Sequence, residues 1–170
     1  MNNEISQLSN RQQALIGCAL ALLMLATRGL PIIGLDLLPG ASWAVFFLAG
    51  VYLRSVLAVP ALLALAVLID GVAVGWAGVA AYCLTPVYAM LAPAYASLWL
   101  AGRWYATRHE FKLQSLGTLA VIAFVGAAAC ELFSSGSFYW FSGAFTQPDF
   151  AQFQAREWVY FPAYLASMAF

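Results

Sequence analysis

The chain has 170 residues, 64% hydrophobic and 8% charged, with seven basic residues balanced by seven acidic ones. A soluble domain carries roughly 25% charged residues, so a water-borne enzyme, a nucleic-acid binder and a disordered tail are excluded. Zero net charge leaves no global field to attract acidic partners. The composition fits an all-α integral membrane protein, whose lipid-facing surface needs no charge.

A spanning helix takes about 20 apolar residues. The continuous apolar runs 14–26 and 116–130 read as helices, not as the alternating strands of a membrane barrel. Polar residues 1–13 lack the basic, apolar and small-residue order of a cleaved signal, so the first helix is retained and is expected over 12–28. An outward loop, 29–39, carries Asp36. The second helix is expected over 40–53, with Pro39 near its start. Arg54 then interrupts the apolar run. A single span through it would cost about 2.5–3.5 kcal/mol, so a tight hairpin and a third helix over 56–69 are expected.

Asp70 opens a Gly-rich outward loop, 70–85. The fourth helix starts at Pro86 and runs over 86–104, followed by a polar segment with Arg103, Arg108, His109, Glu110 and Lys112. The fifth helix covers 115–133. A loop rich in Ser, Gly and aromatics, 134–155, leads to a sixth over 156–170. The expectation is one transmembrane domain, 1–170, of six helices. Arg11, Arg54, Arg103, Arg108 and Lys112 share one side, and Arg28 and Arg156 the other. The positive-inside bias makes the first side, with both termini, cytoplasmic.

Cys18 and Cys130 lie among small apolar residues and read as packing thiols. No C-x-x-C pair exists. Cys83 differs: Tyr82-Cys83-Leu84-Thr85-Pro86 places it just ahead of a helix start, where terminal N–H groups favour a thiolate. That pattern leaves a functional thiol and simple packing both open. The lone His109 is a solvated loop residue on the opposite face, so a Cys–His dyad is disfavoured, and no zinc cluster is visible. No Walker-type motif appears, so there is no ATP site.

Arg28, Asp36, Asp70, Glu131, Asp149, Arg156 and Glu157 fall on the outward side. Misplaced charge is costly near a membrane. These residues therefore read either as interfacial, mutually paired groups or as an outward polar pocket. Aromatics between Phe138 and Phe161 read either as a lipid-interface belt or as a wall for a flat, partly apolar ligand.

Six short helices with binding loops outside resemble the substrate-binding S-components of energy-coupling-factor (ECF) vitamin transporters. Asp70, then Cys83-Leu84-Thr85-Pro86 with Tyr88, and Arg156 near the last helix resemble the BtuM branch. These are small cobalamin transporters of the inner membrane of Gram-negative bacteria, which often work without a dedicated coupling module. The resemblance implies an S-component-like bundle for high-affinity capture and uptake of cobalamin. It implies Cys83 as axial ligand to the cobalt, with Asp70, Tyr88, Arg156 and Arg28 lining the corrin pocket. Its implied partners are cobalamin and the lipid bilayer, with an ECF coupling module or none, and no nucleic acid. The family's Ala-x-x-x-Ala docking pattern is replaced here by Gly17-x-x-x-Ala21. Because a thiolate is a strong donor that labilises the group trans to it, cyanocobalamin is expected to lose cyanide with help from Cys83 and an external reductant. The competing readings are an S-component for another vitamin, a membrane thiol enzyme with Cys83 as catalytic nucleophile, and a structural subunit of a membrane complex.

Overall fold

The computed structural model describes residues 8–29, 41–76, 86–108, 114–166 and 168. The described residues are 87% helical, without strands, and form six helices. Cys83, Asp36, His109, Glu110 and Lys112 lie outside the described residues.

Helix α1 spans Asn10–Gly29. Ser9 and Gln12 close a reciprocal cap at its start, with Ser9 N–H donating to Gln12 Oε1 at 2.9 Å and Gln12 N–H to Ser9 Oγ at 3.3 Å. That S-x-x-Q box sets the start ahead of the expected 12. Helix α2, Ser42–Tyr52, ends where Leu53 turns extended, and α3, Ala58–Trp76, follows. The break at Arg54 is therefore present. Arg103 holds it by donating to the carbonyls of Leu53 (3.0 Å) and Arg54 (3.2 Å), and Arg54 N–H donates to Gln13 Oε1 (3.0 Å).

A 3-10 turn, Pro86–Met90, leads into α4, Leu91–Arg108. Helix α5, Gln114–Glu131, continues through a π turn, Leu132–Gly136, to Ser137–Phe141. Helix α6 is Phe150–Ala166.

Helix α4 runs to Arg108, past the expected 104, and three further boundaries move by more than a turn. Helix α3 runs past 69 through Trp76, so Asp70 sits inside a helix and does not open a loop. The glycines at 71 and 75 cost about 1 kcal/mol each relative to alanine, and the intervening Val72, Ala73 and Val74 keep the apolar helix going. Helix α5 runs past 133, because a π turn admits the extra residue without ending the helix. Helix α6 begins at Phe150, so Arg156 and Glu157 lie two turns inside it and not at its start.

Helices α2 and α4 cross at backbone contact. A Cβ on Gly50 would stand 2.1 Å from the Trp99 carbonyl oxygen, and one on Gly102 would stand 2.1 Å from that of Phe47. Around this crossing Phe46, Met24, Leu98 and Val45 are fully buried. On α1, a Cβ on Gly17 would stand 3.8 Å from the Leu53 side chain, and Ala21 packs against the core. The Gly17-x-x-x-Ala21 stripe is thus engaged within the molecule. Cys130 is buried, whereas Cys18 is exposed and does not pack, because it sits on the outer stripe of α1 with Leu15, Leu22 and Leu25.

Two helical stretches, Ala58–Trp76 and Ser115–Phe141, are long and apolar enough to cross a membrane. Only 17% and 28% of their most apolar windows are buried, so they are not core helices wrapped by protein.

Candidate functional site

Arg28 ends α1 and reaches three other helices. Its Nε donates to Asp70 Oδ1 at 2.7 Å and its Nη2 to Asp70 Oδ2 at 2.5 Å. This is the bidentate fork that guanidinium and carboxylate geometry favours. Its Nη1 donates to Ser42 Oγ (3.1 Å) on α2 and to Tyr95 OH (3.0 Å) on α4. Tyr88 OH donates to Asp70 Oδ2 at 2.5 Å. Four of the five guanidinium N–H groups are thereby used. Arg28 therefore positions Asp70, Tyr88 and Tyr95 and has little left to offer a ligand.

This network forms one wall of a cavity of about 630 Å³. Arg28, Asp70, Tyr88 and Arg156, which stand far apart in sequence, all line it. The remaining candidate, Cys83, is outside the described residues; in sequence it precedes Tyr88 by five positions. Arg156 has no ion-pair partner among the described residues. Its guanidinium lies 4.9 Å from the Phe145 ring centre and 5.5 Å from that of Tyr160, a cation–π seat that holds the side chain while leaving its donors unused.

The aromatic-rich segment divides between the two expected roles. Phe138, Tyr139, Phe145, Phe153 and Tyr160 line the cavity. Trp140, Phe141, Phe150 and Trp158 are exposed on the outer surface. Tyr139 organises the inner group. Its ring centre is 4.6 Å from Phe145 and 5.4 Å from Phe153, and its OH exchanges 3.0 Å hydrogen bonds with the backbone of Asp149.

Several lining residues were not singled out from sequence. Tyr95 stacks on Phe46 at 4.2 Å and lies two helical turns from Tyr88, a shared-face spacing that offered a signal. Trp43 enters from α2, packed on Tyr164 at 5.5 Å. Glu131, by contrast, is one of the ionisable residues that the sequence marks out for a polar pocket; it has only 2% of its surface exposed and accepts a short hydrogen bond from Ser135, across the π turn.

Among the described residues, no three His, Cys, Asp or Glu side chains converge on a metal position. No known family model matches the chain, and no characterised protein is a significant relative.

Proposed function

We propose that the chain is a multi-pass protein of the bacterial inner membrane that captures cobalamin from the outer side. Six membrane-crossing helices with cytoplasmic termini are part of this reading. Its support is the apolar outer surface, with Leu22, Leu68, Trp76, Leu116 and Val121 all exposed, together with the placement of charge. Arg54 and Arg103 meet beside Gln13 at one end of α1, while Arg28 sits at the other. About 30 Å of a 20-residue helix separates the two ends.

The observation that carries the ligand reading is the cavity itself. Four outward candidates chosen from sequence share one aromatic-walled space, and one of them, Arg156, has no ion-pair partner among the described residues. A flat, partly apolar ligand with polar edges suits that lining. A corrinoid brings its cobalt already held by four ring nitrogens and needs a single axial donor, the role proposed for the Cys83 thiolate. Loss of cyanide from bound cyanocobalamin, with an external reductant, follows from that donor's strength.

The test is a binding titration of the purified full chain with cyanocobalamin. One-to-one binding that weakens at least tenfold in Arg156→Ala is the expected result. Absence of binding rejects the reading. The second reading, capture of a smaller vitamin with Cys83 incidental, is favoured by the volume, which falls in the ~300–1,000 Å³ range of drug-sized pockets. A colourless ligand that co-purifies and is not displaced by cobalamin would select it.

A further inference from the structure

Glu131 lines the same cavity and has no role in the reading above. It is almost wholly buried yet lines the space. One carboxylate oxygen takes the Ser135 hydroxyl, and no other hydrogen bond or ion pair reaches the side chain among the described residues. Of the cavity's two arginines, Arg28 is engaged by Asp70, Ser42 and Tyr95, and Arg156 sits over Phe145 and Tyr160. Glu157, on the turn that carries Arg156, adds a second carboxylate to the lining. A buried carboxylate with spare lone pairs is costly unless N–H donors reach it. The described residues supply one hydroxyl, and a ligand in the cavity can bring the remaining donors.

Resting on the cobalamin reading, we infer that Glu131 is a specificity-determining residue of this cavity. It accepts hydrogen bonds from primary amides on the rim of the ligand and rejects ligands that carry carboxylates there. The edge of a corrin ring bears such amides. The π turn Leu132–Gly136 serves this role by bringing Ser135 back over Glu131, which fixes the carboxylate and leaves its other oxygen open. A like charge placed against it is expected to cost at least about 100-fold in affinity, which corresponds to about 2.8 kcal/mol.

The test uses the full-length protein in detergent and two probes with the same ring and cobalt: dicyano-cobyrinic acid, with peripheral carboxylates, and its hepta-amide. Cyanocobalamin is titrated alongside. The wild type is expected to prefer the amide at least about 100-fold. In Glu131→Gln, which keeps the shape and removes the charge, the preference falls below tenfold. In Glu131→Asp, which keeps the charge, the preference persists. A folded Glu131→Gln protein with wild-type preference overturns the inference. If Glu131→Gln does not fold, Glu131→Ala takes its place: a preference below tenfold supports the assignment and a wild-type preference overturns it. A wild type that binds cyanocobalamin but treats the two probes alike overturns this inference alone. A wild type that binds no corrinoid overturns the cobalamin reading and this one together.

Discussion

Replacing Arg28 with Met removes the guanidinium and keeps most of its bulk. Asp70 then loses two hydrogen bonds, at 2.7 and 2.5 Å, and keeps only Tyr88. Ser42 and Tyr95 lose their shared donor. Stranding one partner of a buried ion pair costs about 3–5 kcal/mol. Here the two side chains keep 22% and 20% exposure to the cavity, which reduces the expected loss to about 2–4 kcal/mol. Asp70→Leu leaves Arg28 with Ser42 and Tyr95 and costs less, about 1–3 kcal/mol. The double variant leaves no stranded charge and should fall short of additivity by about 1–3 kcal/mol. The assay is thermal unfolding of the four detergent-solubilised proteins, with a midpoint about 5–15 °C lower for Arg28→Met. Additive losses, or an Arg28→Met protein that melts with the wild type, refute the claim that this pair ties the helices together.

Gly102→Ala sets a methyl 2.1 Å from the Phe47 carbonyl oxygen and forces α2 and α4 apart, whereas Gly71→Ala meets nothing within 4 Å. The first should lose at least about 3 kcal/mol, and the second should gain up to about 1 kcal/mol from helix propensity; the melting midpoints of the two variants should therefore move in opposite directions. Arg156→Ala gives up only a partly exposed cation–π seat worth about 0.5–1 kcal/mol. Its melting temperature should stay within a few degrees of the wild type while ligand affinity falls, and a large fall in stability would assign Arg156 to the fold.

Much of the architecture was legible from patterns that physics ties to one outcome. Arg54 in the middle of an apolar run predicts a break, and the break is there, held by Arg103. Pro86 predicts a helix start and opens the 3-10 turn. The ends were less legible where weak local signals met strong apolar context. Gly71 and Gly75 suggested a loop, yet the Val-rich stretch carries α3 through them and puts Asp70 on a helix. The π turn has no signature in the sequence, whose pattern alone ends α5 near 133. Charge scarcity pointed to the cavity residues, because each outward ionisable group stood out. It did not separate their roles. That Arg28 is consumed by Asp70, Ser42 and Tyr95 while Arg156 has no ion-pair partner among the described residues follows from long-range packing alone. Ser42 and Trp43 reach the site through the α2–α4 crossing, which depends on Gly50 and Gly102 meeting in space.

The central claim is that a corrinoid binds with Cys83 on its cobalt. The most direct measurement is the visible spectrum of cyanocobalamin bound to the purified wild type and to Cys83→Ser, with reductant present. The account predicts a shifted spectrum and released cyanide for the wild type, and the spectrum of unaltered cyanocobalamin for Cys83→Ser. Identical spectra for the two bound proteins would contradict it.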